Sequence, residues 1–143
     1  MAIIRTGSAQ WSGGIKDGKG AISTESGALA AYPYGFASRF EGQKGSNPEE
    51  LLGAAHAACF TMALSLILGE AGLTATDLQT SAKVSLEKTE TGYEITAVDL
   101  TLVGTVPGAT AEQFAELAGK AKANCPLSKV IRAAISLDTS LKG

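Results

Sequence analysis

The chain has 143 residues, with twelve Lys and Arg against fourteen Asp and Glu, and a formal net charge of −2. Its length fits a single domain over residues 1–143 with one core. The charges form no run of one sign, which argues against nucleic acid and against a membrane surface as partners. The N-terminus lacks the long apolar stretch that secretion requires, so we expect a cytoplasmic protein whose two cysteines are free thiols or a redox pair.

The first 45 residues (1–45) form a glycine-rich segment that predicts a small antiparallel meander. Nine of the seventeen glycines lie here. Turn signals such as Asp17-Gly18 separate short apolar pieces that have the composition of strands. We expect strands around Ile3, around Trp11, and over residues 21–24 and 36–41.

Residues 47–71 carry the clearest helix signal in the chain. Asn47 can act as the N-cap, Pro48 suits the first helical position, and Glu50 stands where a capping box places it. Apolar residues recur at helical spacing and small residues cover most of the remaining surface, which predicts a long buried central helix that another helix or subunit approaches closely. The uncharged stretch 51–68 has about the length of a membrane span, but it is rich in alanine and no basic cluster flanks it. We therefore interpret it as a buried helix.

The rest of the chain, residues 76–143, predicts a strand, strand, helix, strand portion. Between Ala97 and Val98 the apolar alternation changes parity, which indicates a bulge or a stretch buried on both faces. The order of elements along the whole chain predicts an α+β fold with antiparallel sheets. The expected elements of this portion are strands over residues 82–88 and from residue 93 onward, a short helix capped by Thr110, and a final strand over residues 131–141.

Two cysteines are the candidate reactive groups. Cys59 lies in NPEELLGAAHAACF and Cys125 follows 66 residues later, so they form no CxxC pair and only the fold can bring them together. From its surroundings alone, Cys59 is either an inert core residue or an activated nucleophile. Pro126 favours a new helical turn with Cys125 at its N-cap, where exposed N–H groups favour a thiolate.

A nucleophilic Cys59 needs a cation nearby. It lies about 18 Å along the helix from the N-cap, where the helix dipole has little effect. His56, one turn earlier, is the nearest candidate within the helix, and a Cys59 and His56 pair would suggest a hydrolase; the alternative is a hydrogen-bonded core histidine. Arg39 is the better cation, because a guanidinium stays charged and offers several donors, unless it forms only a surface ion pair.

Several segments carry a resemblance to a known family. They are TESG at residues 24–27, PYGF at 33–36, RFEG at 39–42, NPEELLGAAHAACF at 47–60 and CP at 125–126. Together they closely resemble the osmotically inducible protein C (OsmC) branch of the OsmC and organic hydroperoxide resistance (Ohr) superfamily, over essentially the whole chain. The resemblance implies an OsmC-like fold, an intertwined homodimer with two active sites at the subunit interface, and a thiol-dependent peroxidase that requires no metal or flavin cofactor.

The same resemblance implies the roles of four residues. Cys59 matches the peroxidatic cysteine and Cys125 the resolving one, while Arg39 and Glu49 match the pair that supports the thiolate. Glu49 lies about 15 Å from Cys59 along the helix, so a long Arg39 side chain would have to lie between them. Glu49 can also serve as favourable charge at the helix start. The implied partners are a small hydroperoxide and a dithiol reductant of the lipoyl type.

Aromatic residues near Arg39 bear on the substrate. An apolar mouth to the site favours bulky organic hydroperoxides over hydrogen peroxide, although the same rings could instead fill the core or the dimer seam. A Cys59 and His56 hydrolase and a non-catalytic protein that binds apolar ligands are the alternative functions. The aromatic residues concerned are Tyr32, Tyr34, Phe36 and Phe40.

Overall fold

The computed structural model describes residues 1–142. Contacts divide the chain into two compact units, Met1–Leu51 and Leu52–Gly143. The α+β class expected from the sequence is confirmed, whereas the single domain over residues 1–143 stays a prediction.

The first unit contains a three-stranded antiparallel sheet with the strand order β1-β2-β3. Its strands are β1 (Gly7–Ser12), β2 (Lys19–Thr24) and β3 (Tyr32–Tyr34). The predicted meander is confirmed, and β1 and β2 lie where strands are expected around Trp11 and over residues 21–24. No strand forms around Ile3, and β3 is a strand that the sequence did not predict. Gly20 is required in β2, because a Cβ there would lie 2.4 Å from the Tyr34 ring and 2.6 Å from the Trp11 ring.

The strand predicted over residues 36–41 is wrong. Phe36–Phe40 forms a short helix, α1, with Gly35 as its N-cap. The Ser38 hydroxyl accepts a hydrogen bond from the Gly35 N–H at 3.0 Å, and this local bond favours a helical turn over an extended chain. The turn places Phe36, Arg39 and Phe40 on one face at i, i+3 and i+4 spacing.

The long helix α2 (Pro48–Glu70) agrees with the helix predicted over residues 47–71. The Asn47 Oδ1 atom accepts a hydrogen bond from the Glu50 N–H at 2.8 Å, as expected for an N-cap. Only one face of α2 is buried within the single chain; on the other face Met62 is 76% exposed and Leu66 is 67% exposed. The prediction of a buried helix is therefore confirmed for the face that the core of the second unit covers, while the close approach of a second subunit to the other face stays a prediction. The buried positions from residue 52 onward are Gly53, His56, Phe60, Leu64 and Leu68.

The second unit adds a three-stranded sheet with the order β4-β5-β6 and two helices. The register shifts between Ser85 and Leu86 of β4, which pair with Ala97 and Ile95, so that Thr96 is the extra residue of a bulge. The predicted change of parity is thus confirmed as a bulge, and beyond it the buried residues of β5 alternate. The elements are β4 (Asp77–Thr89), β5 (Gly92–Thr105), α3 (Ala111–Asn124), α4 (Pro126–Val130) and β6 (Ala134–Lys142).

The expectation that the sheets are entirely antiparallel is wrong for the last strand. β6 pairs parallel to β5, with Ala97 opposite Ala134 and Leu100 opposite Leu137. The physical reason is the crossover between them: α3 and α4 return the chain to the end of the sheet where β5 began, and a connection of this length permits parallel pairing. The connection also places the turn that carries Cys125 between two helices.

Candidate active site

The two sulfur atoms meet in the second unit. Cys125 Sγ lies 2.9 Å from Cys59 Sγ, and both residues are free cysteines. Cys125 is completely buried and belongs to the hydrophobic core, while Cys59 is partly exposed at the edge of that core. A thiol that can be reached from outside thus faces a thiol that is shielded.

Local structure explains the position of Cys125. It is at once the C-cap of α3 and the N-cap of α4, with Pro126 at the first position of the new helix, as the sequence predicts. Its own N–H donates to the Ala121 carbonyl at 2.9 Å, which fixes the backbone at the helix junction. The apolar face of α3 then anchors this junction in the core, because Phe114, Leu117, Ala118 and Ala121 are all buried.

The immediate surroundings of Cys59 do not favour its thiolate. Burial raises the pKa of the Cys59 thiol, and the hydrogen bond and charge of Cys125 raise it further, while the Leu127 backbone N–H lowers it. The positive influence of one amide therefore does not offset desolvation and the second sulfur. A reactive Cys59 requires an additional cation.

Arg39 and Glu49 form the expected ion pair in the first unit. Arg39 Nε donates to Glu49 Oε1 at 3.0 Å and Arg39 Nη2 donates to Glu49 Oε2 at 2.9 Å, so that the contact is bidentate. The Glu49 side chain is only 11% exposed, while that of Arg39 is 35% exposed. Such a fork fixes the plane of the guanidinium and leaves its remaining N–H groups free to bind an anion.

A cavity of about 260 Å³ lies beside the guanidinium, and all of its lining residues belong to the first unit. The Trp11 and Tyr34 ring centroids are 5.5 Å apart, those of Phe36 and Phe40 are 5.0 Å apart, and Arg39 Cζ lies 5.3 Å from the centre of the Phe40 ring. Tyr32, which the sequence grouped with these residues, is not part of the lining. The lining residues are Trp11, Ile15, Tyr34, Gly35, Phe36, Arg39 and Phe40.

His56 does not serve Cys59 as a base. It is completely buried, its Nε2 atom is hydrogen-bonded to Ser128 Oγ at 2.8 Å, and its Nδ1 atom has no partner among the described residues. Burial lowers the pKa of the imidazole below its ordinary value of 6.5, so the ring is neutral at pH 7. The arrangement gives a Cys59 and His56 hydrolase no general base in contact with the sulfur.

This neutral buried histidine predicts how stability depends on pH. Between the lowered pKa of the folded state and the unfolded value of 6.5, the unfolded chain binds more protons, so the free energy of unfolding falls as pH falls through 6.5. The slope from one such group is at most about 1.4 kcal/mol per pH unit. Urea unfolding at several pH values between about 5 and 8 measures it, and the slope is expected to be smaller in His56→Leu. Equal slopes for both proteins would contradict a neutral buried imidazole.

Sequence reasoning missed three contributors to this region. Trp11 and Ile15 complete the cavity beside Arg39, and Ser128 binds His56. The sequence CPLS signals a helical turn, but no local pattern in one chain pairs Ser128 with a histidine 72 positions earlier. The sequence indicates only that Trp11 lies in a strand. Its ring contact with Tyr34 arises because both residues pair with Gly20 of β2.

Comparisons with known proteins agree with one another. The family model described as OsmC-like protein matches residues 41–140. Peroxiredoxin OsmC of Escherichia coli (strain K12) is 57% identical over 142 residues, 99% of either chain. Among solved structures, the organic hydroperoxide resistance protein OhrB of Bacillus subtilis superimposes with a TM-score of 0.68 and 31% identity, covering 96% of this chain and 98% of that one. The organic hydroperoxide resistance protein of Elizabethkingia anophelis gives 0.72 and 26%, covering 100% and 99%.

Fold and thiol geometry together define an α+β protein in which a free cysteine on α2 faces a second free cysteine at the junction of α3 and α4. The family match covers most of the chain and the Escherichia coli relative covers nearly all of it. This chain belongs to the OsmC-like protein family. The resemblance inferred from the sequence is thereby confirmed, while the roles of Cys59, Cys125, Arg39 and Glu49 stay predictions.

Proposed function

We propose that this protein is a thiol-dependent peroxidase that reduces organic hydroperoxides to alcohols. The observation that carries the proposal is the 2.9 Å separation of Cys59 Sγ and Cys125 Sγ, with one sulfur partly exposed and the other buried. Such a pair can donate two electrons to a hydroperoxide, and its oxidised form is a disulfide. The similarity to a peroxiredoxin and to an organic hydroperoxide resistance protein supports the same reaction.

In the first step the Cys59 thiolate attacks the distal oxygen of the hydroperoxide. The O–O bond breaks, the sulfur becomes a sulfenic acid, and the departing alkoxide takes a proton and leaves as the alcohol. Arg39 stabilises both the thiolate and the charge that develops on the alkoxide. Glu49 fixes the orientation of Arg39 through the bidentate contact. The guanidinium thereby offsets the rise in the pKa of Cys59 that burial and Cys125 cause.

In the second step the sulfur of Cys125 attacks the sulfur of Cys59. The S–S bond forms, the S–O bond breaks, and water leaves with the proton of the Cys125 thiol. An external dithiol of the lipoyl type then reduces the disulfide by thiol exchange and restores both thiols. This cycle suits a reducing compartment, and we propose that the protein acts in the cytoplasm.

The aromatic cavity beside Arg39 is the proposed site for the organic group of the substrate. Its volume of about 260 Å³ is close to the lower end for small-molecule sites, and aromatic rings supply most of its walls. A bulky apolar hydroperoxide removes these rings from water, whereas hydrogen peroxide gains nothing from them. We therefore expect cumene hydroperoxide to react faster than hydrogen peroxide.

A homodimer is the proposed assembly. The outer face of α2 exposes Met62 and Leu66, which form part of a broad apolar surface on the single chain. A groove of about 840 Å³ runs between this face and the start of β4, and neither cysteine is among its lining residues. A second copy that covers α2 would bury this surface, which is why we assign the groove to the subunit contact and not to the substrate.

A thiol titration tests the proposed function. Reduced protein is treated with one equivalent of cumene hydroperoxide or of hydrogen peroxide per subunit, and free thiols are counted under denaturing conditions. The expected result with either oxidant is the loss of two thiols per subunit, and cumene hydroperoxide should also yield one equivalent of its alcohol. The thiols should be lost faster with cumene hydroperoxide than with hydrogen peroxide. Two thiols that persist in the presence of the hydroperoxide would sink the proposal.

The same experiment separates the alternatives. A hydrolase would form an acyl intermediate on Cys59 and would need no Cys125, and a protein that only binds apolar ligands would keep both thiols. Neither of them oxidises two thiols together for each molecule of alcohol produced. His56 favours the peroxidase further, since its ring contacts Ser128 and not Cys59.

A further inference from the structure

The buried imidazole of His56 lowers the stability of the fold at its position in α2. It is completely buried on the face of α2 that otherwise presents Gly53, Phe60 and Leu64 to the core, and its Nδ1 atom has no hydrogen-bond partner among the described residues. A buried polar atom without a partner costs stability, and an aliphatic side chain of similar volume would fill the same space without that cost. The benefit of the imidazole must come from its other nitrogen, which binds Ser128 at 2.8 Å.

The partner of His56 belongs to α4, the helix that carries Cys125 at its N-cap. α4 has only five residues, none of them fully buried, and the side chain of its N-cap forms no capping hydrogen bond to the helix. A helix this short is not stable by itself, so contacts with the rest of the fold determine its position. Within residues 1–142, the bond from Ser128 to His56 is the one hydrogen bond made by a side chain of α4, and the Leu127 backbone N–H adds a contact with the Cys59 thiol.

His56 and Cys59 lie one turn apart on α2, and Ser128 and Cys125 lie one turn apart on the α4 side. The two elements therefore meet at two neighbouring points, through the sulfur atoms at 2.9 Å and through the imidazole and hydroxyl at 2.8 Å. When Cys59 gains an oxygen atom, the first contact must open to admit it. The second contact does not involve the reacting atoms and can persist.

We propose that His56 is a positioning residue for disulfide formation: by binding Ser128 it keeps α4 in place, so that Cys125 reaches the oxidised Cys59 before a second hydroperoxide does. The proposal rests on the proposed function. Two reactions of the sulfenic acid compete. Attack by the Cys125 thiol forms the S–S bond and releases water, whereas a second hydroperoxide transfers one oxygen to Cys59, yields a sulfinic acid and releases a second alcohol. Small displacements of Cys125 slow only the first.

Two variants break the contact from opposite sides. His56→Leu removes the imidazole and its unpaired nitrogen together, while Ser128→Ala removes only the hydroxyl; Ser128→Thr retains a hydroxyl and serves as the conservative rescue. Thr110→Ala is the control for general loss of stability, because it removes the N-cap contact with Gln113 at the opposite end of α3 from Cys125. The side-chain hydrogen bonds that these variants remove do not involve either sulfur atom.

Rapid mixing with cumene hydroperoxide, followed by acid quench and mass measurement, separates the two steps. We expect the rate constant for disulfide formation to fall about tenfold in His56→Leu and in Ser128→Ala, with no further fall in the double variant, while the rate constant for the first oxidation changes less than about twofold. The hydroperoxide concentration that converts half of Cys59 to sulfinic acid should fall by the same factor. Ser128→Thr and Thr110→Ala should behave as the wild type.

Equal sensitivity to sulfinic acid formation in all variants, or an equal fall in both rate constants, would overturn the proposal. A second measurement does not depend on peroxidase activity: the equilibrium of the Cys59–Cys125 disulfide with reduced and oxidised glutathione gives the effective concentration of one thiol at the other. That concentration should also fall about tenfold in both variants. If the wild type does not react with hydroperoxides, the proposed function fails, and this equilibrium alone decides the role of His56.

Discussion

Replacing Cys59 with serine is expected to abolish hydroperoxide turnover, reducing it to the rate without protein. A hydroxyl in that position is not ionised at neutral pH and is a far weaker nucleophile towards peroxide oxygen than a thiolate. Replacing Cys125 with serine should have a different effect: Cys59 still reacts with hydroperoxide to form a sulfenic acid, but recycling is far slower than in the wild type, because no internal thiol converts the sulfenic acid to a disulfide. Consumption of cumene hydroperoxide in the presence of excess dithiol measures both outcomes.

Mass measurement distinguishes the two variants further. The Cys125→Ser protein should gain one oxygen atom and then a second, whereas the Cys59→Ser protein should gain none under the same conditions. Ala123→Ser is a suitable control, because it introduces a hydroxyl at an exposed position of α3 two residues before Cys125 and leaves both thiols in place. Full turnover by Cys59→Ser, or repeated turnover of Cys125→Ser at the wild-type rate, would refute the assigned roles.

The elements that local chemistry specifies were predictable from the sequence. α2 follows from its N-cap at Asn47 and its apolar spacing, and α3 from the cap at Thr110, whose hydroxyl accepts the Gln113 N–H at 3.1 Å. The bulge in β5 was predictable because side chains alternate between the two faces of a strand. A shift of the apolar residues from odd to even positions therefore indicates an inserted residue. In each case the signal and the structure it specifies lie within a few residues of each other.

The features that the sequence did not predict depend on contacts between distant residues. The direction of β6 depends on the path of α3 and α4, which return the chain to the start of β5. The residues of β6 themselves do not indicate whether it pairs parallel or antiparallel. α1 forms where the sequence predicts a strand, because the apolar composition of residues 36–41 does not reveal the hydrogen bond between Ser38 and the backbone of Gly35. The exposed face of α2 could not be foreseen either, since an apolar pattern does not say whether the same chain or a second copy covers it.

The same distinction between local signals and contacts of distant residues applies to the candidate site. The sequence singled out both cysteines as reactive groups, but only their tertiary contact across 66 positions makes a redox pair plausible on physical grounds. The roles of Arg39 and Glu49 came from a family resemblance, and their bidentate geometry supplies a physical reason for it. Ser128 carried no signal at all, because a single serine after a helix start is common.

Replacing Arg39 with methionine is expected to lower the second-order rate constant for oxidation of Cys59 by about 10² to 10³. The residues around Cys59 raise the pKa of its thiol, so without the guanidinium the thiolate is scarce and the leaving alkoxide has no cation to stabilise it. Arg39→Lys should fall between the two, since an ammonium keeps the charge but cannot form the bidentate contact with Glu49. The measurement is the rate of sulfenic acid formation in a Cys125→Ser background, with exposed Arg132→Met as the control for loss of a positive charge.

The pH dependence of the same reaction gives a second test. If Arg39 lowers the pKa of Cys59, the pH at which alkylation of Cys59 by iodoacetamide reaches half its maximum should rise in Arg39→Met and stay unchanged in Arg132→Met. Mixed dimers then show which subunit provides the cation. A dimer of one Cys59→Ser chain and one Arg39→Met chain retains an intact pair only if Arg39 serves the thiol of the neighbouring subunit. Activity in the mixed dimer indicates that arrangement, and its absence indicates that each subunit uses its own guanidinium. An Arg39→Met protein that reacts as fast as the wild type would leave Cys59 without the cation that its surroundings require.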